Sequence, residues 1–216
     1  MIRINIICEG TTEENFVSKV LYRHFILKNI LVTPRNIGTG SSYGKLKVNV
    51  IQWLKEDPGA YVTTLIDIYG MGNKYPGYEE NRDLVAYQKA TALEQAFNQD
   101  IEETGISVYR FIPHFQLHEF EAILFSDCAV LEDFLSLDYN FPSGSLQNIR
   151  DKFASPEHIN DSPLTAPSKR ILAVIPTYEK VADGILIAEA ISLETMRTQC
   201  VHFGSWLTKL ENLSDV

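Results

Sequence analysis

Residues 2–10, IRINIICEG, are the stretch of the sequence that decides the fold. The apolar run from Ile2 to Cys8 is short and continuous, which is typical of a strand buried on both faces of a parallel sheet. Glu9 and Gly10 end the run, and apolar residues at helical spacing follow directly. A strand that leads through a glycine turn into a helix is the start of a βαβ unit, so this stretch predicts an α/β protein.

The chain repeats this alternation up to about residue 125. Strands are predicted at 30–37, 60–67 and 106–112, and helices at 45–56, 83–103 and 118–125. Pro34 cannot donate a hydrogen bond to a neighbouring strand, so the second strand is expected at an edge of the sheet. Thr11 and Glu14 have the spacing of a capping box at the start of the first helix. We therefore expect a parallel sheet of about four strands flanked by helices.

The strand signal disappears after about residue 127, and prolines break the rest of the sequence into short helical segments. Pro167 is expected to open one of these helices, because proline fits the first helical position. No stretch of linker composition separates the two parts of the sequence. We therefore expect an α/β core at 1–127 and a C-terminal helical lobe at 128–216 that packs on the core.

The composition limits the classes of function. The formal net charge is -9, whereas a protein that grips nucleic acid over a broad surface is usually basic. Any contact with nucleic acid is therefore expected to be local, bridged by metal or supplied by a partner. The three cysteines form no CxxC pair, which argues against a structural zinc site. No signal peptide and no membrane helix is predicted, so the cytoplasm is the default location.

Two acids stand at predicted strand ends. Glu9 ends the first strand and Asp67 ends the third. Ligands bind at the carboxyl ends of the strands in open parallel sheets, and carboxylate oxygens suit Mg²⁺ or Mn²⁺. If the two strands are neighbours, the sequence predicts an acidic metal site at this edge. The alternative is that the two acids only end a strand and cap a helix.

Further acids are expected near the same edge. Glu13 faces the same region as Glu9, although acids in a first helical turn are also favoured by the helix dipole. His118, Glu119 and Glu121 begin the helix after the fourth strand, where His118 and Glu121 are expected to share one face. The sequence does not distinguish Glu119 from Glu121 as the site residue.

Cations follow Pro167 in the second part of the chain. Lys169 and Arg170 oppose the dipole of the predicted helix, so they need an anionic partner. That partner is either a substrate phosphate or the acidic cluster itself. The Gly/Ser loop from Gly38 to Gly44, followed by Lys45, lacks the Walker A spacing. Two interpretations stay open: a loop that approaches a phosphate, or, more simply, a plain flexible loop.

Two of these stretches resemble the motifs of Toprim domains. CEGTTEENF, at 8–16, is similar to the first motif, in which a strand-end Glu precedes a glycine turn and a helix. LIDIYG, at 65–70, resembles the second motif, an Asp-x-Asp strand end, except that Tyr69 replaces the second acid. Toprim domains occur in topoisomerases, primases and the overcoming-lysogenization-defect (OLD) nucleases, where such acids bind Mg²⁺ for phosphodiester chemistry.

The whole chain, from about residue 6 to 210, resembles a bacterial domain-of-unknown-function family with a Toprim-like core. The stretches that carry this resemblance are CEGTTEENFV, LIDIYG, LHEFEAILFSD, PEHINDSPLTAPSKRI and CVHFGSWL. The resemblance implies a Toprim-like sheet and a distant relation to the OLD nucleases. Some related proteins are encoded beside ATPases in phage-defence systems, which implies an ATPase partner.

The leading hypothesis is a Mg²⁺-dependent nuclease of Toprim type. In it Glu9 is a metal ligand or general base, Asp67 a metal ligand, and Glu119 or Glu121 a further ligand. Lys169 steadies a phosphate. The alternative is a non-catalytic subunit of an ATPase complex, in which the acids pair with Lys169 and Arg170. A phosphatase or nucleotide hydrolase acting on small substrates would use the same acids, and the oligomeric state is left open.

Overall fold

The computed structural model describes residues 1–40, 42–68, 74–159 and 165–215, with only the backbone for the last two of these. The contacts divide the chain into two compact units. The first comprises residues 1–116 together with the segment from 209 onwards, and the second comprises residues 117–208.

The first unit contains a parallel sheet. Its strands are β1 (Ile2–Cys8), β2 (Ile30–Asn36), β3 (Ala60–Asp67), β4 (Phe111–Ile112) and β5 (Phe115–Gln116). The order is β2-β1-β3-β4, and β5 pairs with β3 beyond β4. The predicted α/β fold is confirmed, and β2, which contains Pro34, lies at the predicted edge.

Strand β1 is central because it pairs with both β2 and β3. Its residues Ile4–Cys8 are all buried, as the continuous apolar run predicts for a strand covered on both faces. One apolar cluster joins the sheet to the helices α3 (Tyr43–Glu56) and α4 (Ala86–Glu102). Its buried members are Ile7, Ile37, Leu46, Val50, Leu54, Val62, Ile66, Leu93, Phe97, Ile101, Phe111 and Phe115.

The helix after β1 begins differently from the prediction. It consists of α1 (Thr11–Phe16), a π-helical turn (Val17–Leu21) and α2 (Tyr22–Ile26). Gly10 is the N-cap, so Thr11 already lies inside the helix and makes no capping hydrogen bond. The Glu14 carboxylate instead accepts a hydrogen bond from the Asn36 side chain at 2.7 Å. The capping-box prediction is therefore wrong.

The predicted fourth strand at 106–112 is mostly wrong. Only Phe111 and Ile112 pair with β3, and Pro113 interrupts the pairing because it has no backbone N–H. The Thr64 hydroxyl replaces the missing ladder bonds: it accepts from the His114 N–H at 2.9 Å and donates to the His114 carbonyl at 2.7 Å. Strand β5 then resumes the pairing with the end of β3.

The second unit is helical in its described residues, 117–159 and 165–208. Its helices are α5 (Glu121–Leu124), α6 (Cys128–Leu135), α7 (Ser145–Arg150), α8 (Pro167–Val174), α9 (Ala182–Ala190) and α10 (Leu193–Gln199), with a 3₁₀ turn at Pro156–His158, and α11 (Val201–Glu211) begins in it. Pro167 opens α8 as predicted.

The helix predicted at 118–125 is shorter than expected. His118 has a φ of 68°, in the left-handed region, so it cannot belong to a right-handed helix that starts there. The prediction that His118 and Glu121 share a helical face is therefore wrong. None of the helices in the described residues has the length and apolar character needed to cross a membrane.

Arg110 joins the end of α3 to the start of β3. Its guanidinium donates hydrogen bonds to the carbonyls of Leu54 at 2.8 Å and Asp57 at 3.1 Å, and to that of Ala60. Arg110→Met leaves these carbonyls without a charged donor, so we expect a loss of about 2–3 kcal/mol in the free energy of unfolding, measured with urea. Arg82→Met, which removes an exposed pair with Glu79, is the control and should cost less than about 0.5 kcal/mol. Equal losses would contradict this role of Arg110.

Candidate functional site

Glu9 and Asp67 lie at the carboxyl ends of adjacent strands. The register pairs Cys8 with Leu65, so its continuation by two residues sets Asp67 level with Gly10. Neighbouring strands are about 4.8 Å apart, which brings the two acids to the same short stretch of the sheet edge. Both residues are half-buried. The two strands are therefore neighbours, which is the condition that the predicted metal site depends on.

Glu13 lies beside this pair. It is only 5% exposed although it sits in the first turn of α1. A Cβ atom added to Gly10 would lie 3.3 Å from the Glu13 carboxylate and 3.1 Å from the Thr39 hydroxyl. Gly10 thus permits a close approach that a larger residue would obstruct. The same acid adds to burial in raising the pKa of the Cys8 thiol, which makes Cys8 a poor nucleophile.

Two further segments border Glu9. The Gly40 N–H donates a long hydrogen bond of 3.4 Å to the Glu9 carboxylate. Burial raises the pKa of Tyr75 to about 12, and the charge of Glu9 contributes to that shift. The segments around Gly40 and Tyr75 therefore lie within the electrostatic reach of Glu9.

Asp67 is held by the end of β3. It pairs in register with Gln116 of β5, and the next N–H, that of Ile68, donates to the Gln116 carbonyl at 2.9 Å. The pairing with β5 continues the backbone hydrogen bonds of β3 as far as Ile68. Tyr69, which replaces the second acid of the Toprim motif, lies outside the described residues.

Three acids of the first unit therefore lie at or beside these neighbouring strand ends: Glu9, Glu13 and Asp67. Carboxylates are the donors that Mg²⁺ and Mn²⁺ prefer, and these ions keep several waters when only a few carboxylates bind them. The donor set thus fits a hard divalent cation. Glu9 or Glu13 would hold it from the β1–α1 turn, and Asp67 from the end of β3.

The remaining predicted acids lie in the second unit. The Glu119 carboxylate accepts a hydrogen bond from the Ser168 N–H at 3.0 Å and so caps α8. Glu121 is fully buried, and its carboxylate forms an ion pair with Lys180 at 2.9 Å. The sequence patterns did not predict Lys180, because no local spacing connects it to Glu121.

Burial dominates the electrostatics of Glu121. It raises the pKa of this carboxyl to about 7, while the Lys180 charge acts in the opposite direction and Glu119 adds to the increase. Burial also raises the pKa of the nearby Tyr178 hydroxyl above its ordinary range, with a further contribution from Glu121. Lys180 therefore compensates only part of the cost of burying this carboxylate.

The predicted cations have different surroundings. Lys169 is exposed in the first turn of α8. The Arg170 guanidinium donates to the Thr165 carbonyl at 2.7 Å and lies 4.8 Å from the centre of the Phe153 ring. Arg170 thus has structural contacts, whereas Lys169 is exposed. The joint site of Glu9, Asp67, Glu119, Glu121 and Lys169 stays a prediction.

A second buried ionisable pair was not predicted from the sequence. The Glu94 carboxylate lies 3.6 Å from the His114 ring and accepts a hydrogen bond from the Phe115 N–H at 3.0 Å. Both side chains are buried. This contact ties α4 to the interruption between β4 and β5, so it supports the sheet beside β3.

Glu121 predicts a pH dependence of stability. The folded protein keeps a proton on Glu121 up to about pH 7, whereas an unperturbed carboxyl releases it near 4.5, so this group lowers the free energy of unfolding as the pH rises between these values. Glu121→Gln removes this dependence. Between pH 4.5 and pH 8, we expect the free energy of unfolding of the variant to rise by about 2–3 kcal/mol relative to that of wild type, measured by urea unfolding. Parallel profiles for the two proteins would contradict the assignment.

Comparisons with known proteins bear on the fold and the family. No curated protein sequence matches the chain significantly. The structure is similar to the C-terminal region of the Burkholderia pseudomallei OLD protein, with a TM-score of 0.52 and 13% identity over 98% of each chain. The C-terminal region of the Xanthomonas campestris pv. campestris OLD protein gives a TM-score of 0.47 and 14% identity, covering 100% of this chain and 97% of that one.

The Burkholderia comparison agrees with the predicted α/β fold, a parallel sheet of about four strands flanked by helices. The predicted family relationship is also confirmed, because residues 8–211 match the family described as "Domain of unknown function (DUF4276)". The match covers nearly the whole sequence. The chain therefore belongs to the DUF4276 family.

Proposed function

We propose that this protein is a Mg²⁺-dependent phosphodiesterase of Toprim type that acts as a nuclease, with Mn²⁺ able to replace Mg²⁺. One observation carries the proposal: Glu9 and Asp67 end adjacent parallel strands, with buried Glu13 beside them. Sheet edges of this kind are where α/β proteins bind their ligands. The similarity of fold to the OLD C-terminal region supports the same interpretation.

Each residue of the centre has its own role in this proposal. Asp67 would bind the metal ion, and Glu9 would either bind the ion or accept a proton from an attacking water. When bound, the ion would polarise a phosphoryl oxygen and lower the pKa of a coordinated water. Glu13 is the second acid of the β1–α1 turn, and its burial holds its carboxylate in a fixed position there. Lys169, exposed at the start of α8, would steady a phosphate.

The net charge of the chain favours a function that requires a partner protein. A net charge of -9 gives no broad surface for nucleic acid, because phosphates are bound by Lys and Arg. A partner protein would then supply the wider contact with DNA or RNA. In this proposal the chain works in phage defence beside an ATPase, which is the arrangement that the family resemblance implies.

One contact favours a second candidate function. The Lys180–Glu121 ion pair neutralises one of the predicted acids with a lysine instead of a metal ion. Such pairing is expected of a non-catalytic subunit of an ATPase complex with a degenerate Toprim site. Metal titrations separate the two functions, since a non-catalytic subunit requires no cation at Glu9 and Asp67.

Asp67→Asn tests the metal centre. The amide keeps the shape of the side chain and removes the charge that holds a divalent ion, so we expect Mn²⁺ affinity, measured by isothermal calorimetry, to fall by about tenfold or more. Asp83→Asn is the matched control, because the Asp83 side chain is 99% exposed. Cleavage of single- and double-stranded DNA and RNA with Mn²⁺ should be lost in the first variant only. Equal Mn²⁺ affinity in Asp67→Asn and wild type would reject the site.

Glu119→Gln and Glu121→Gln test the further ligand. In Glu119→Gln the new amide oxygen can still accept the Ser168 N–H bond, so α8 keeps its cap while the variant loses a charge. Glu121 is already engaged by Lys180 and favoured in its protonated form. The sequence prediction of a further ligand at Glu119 requires Glu119→Gln to weaken Mn²⁺ binding by about tenfold, whereas Glu121→Gln should leave it unchanged. Wild-type affinity in Glu119→Gln would restrict the metal centre to residues of the first unit.

A further inference from the structure

The glycine loop after β2 lies against the β1–α1 turn. The Ile37 N–H donates to the Cys8 carbonyl at 3.0 Å, and the Gly40 N–H donates to the Glu9 carboxylate at 3.4 Å. Between them, the Thr39 hydroxyl lies 3.1 Å from the position of a Cβ atom on Gly10. The loop therefore borders the Glu9 side of the candidate metal centre, and it is more than a flexible connection.

Lys45 folds back over this loop. Its ammonium nitrogen lies 3.6 Å from the position of a Cβ atom on Gly38, two residues before the loop reaches Glu9. Lys45 is exposed, and its ammonium makes no hydrogen bond or ion pair within the described residues. Lys47, two residues later on α3, is different because it forms an ion pair with Asp100 at 2.7 Å. Within the described part of the chain, Lys45 is thus a cation without a neutralising partner at the border of an acidic centre.

The position of Lys45 on its helix is electrostatically unfavourable without an anion. It is the third residue of α3, whose N-cap is Ser42, and the first turn of α3 contains no acidic residue. A positive charge there opposes the positive end of the helix dipole. A bound anion would interact favourably with both the positive end of the helix dipole and the Lys45 ammonium.

The charges at the centre indicate which anion fits. Glu9, Glu13 and Asp67 carry three negative charges when ionised, so a phosphate would be repelled there by the protein alone. A divalent ion and one lysine together would cancel these three charges. Lysine is an effective phosphate ligand because its ammonium is a compact charge on a flexible stem.

We infer that Lys45 binds a non-bridging oxygen of the phosphate group that sits at the Glu9–Asp67 metal centre. This inference rests on the proposed function and deepens it, because it places a phosphate subsite within the first unit. The ligand class is a phosphate ester of a nucleotide. Lys45 is a substrate-binding residue in this assignment, and it is independent of Lys169.

The test is a calorimetric titration of the Mn²⁺-loaded protein with thymidine 5′-monophosphate. We expect Lys45→Gln to weaken binding of this nucleotide by about tenfold and to reduce its salt dependence, because one ionic contact is lost. Mn²⁺ affinity should be equal to or higher than that of wild type, since a nearby positive charge is removed. Lys45→Arg keeps the charge and should restore most of the nucleotide affinity.

Lys55→Gln is the matched control. Lys55 is also an exposed lysine of α3, about 15 Å further along the helix axis, and it should have no effect on either titration. Wild-type nucleotide affinity in Lys45→Gln, with Mn²⁺ binding intact, would overturn the role of Lys45 and leave the proposed function standing. Equal weakening in Lys55→Gln would overturn it as well, since the effect would then be one of net charge. If wild type itself bound no Mn²⁺, the proposed function would fail and the inference with it.

Discussion

The parallel pairing of β1 with β3 is the contact on which the candidate metal centre depends. It sets the strand ends that carry Glu9 and Asp67 beside each other, although the two residues are far apart in sequence. The pairing is stable because most residues of both strands are buried, and their apolar side chains pack in one cluster with those of α3 and α4. Two carboxylates at one edge repel each other, so the burial of the strands offsets an arrangement that the acids alone would not adopt. A divalent cation at this edge would remove the repulsion.

Much of this architecture could be predicted from local patterns. Strands β1, β2 and β3 and helix α3 lie within one or two residues of their predicted positions, because a continuous apolar run or a helical stripe reports burial directly. The edge position of β2 could be predicted because Pro34 has no backbone N–H to donate to a further strand. The failures have equally specific causes. Pro113 divides the last strand, where the Thr64 hydroxyl bonds to His114 in place of the ladder, and no propensity anticipates that exchange.

The candidate site was predictable only where strand ends identified it. Glu9 and Asp67 follow apolar runs, so the general rule for parallel sheets was sufficient to single them out. Lys180 could not be found in this way, because its relevance comes from a contact with a residue distant in sequence. Lys45 was visible only as a lysine after a glycine loop, because its position beside that loop comes from the fold. His118 shows the same limit in the backbone, since its left-handed conformation prevents the helix from starting where the side-chain pattern predicts. The signals that were missed are therefore three-dimensional ones.

If the acidic edge of the sheet is a metal centre, the roles of the nearby cations follow from that assignment. Lys45 is placed to bind an anion held by the metal, while Lys180 compensates a separate, fully buried acid. The most direct measurement is the anomalous scattering of crystals of the protein soaked in Mn²⁺. We predict a manganese peak coordinated by Asp67 together with Glu9 or Glu13. A soaked crystal with no peak at these residues, or with manganese bound only elsewhere, would contradict the metal centre.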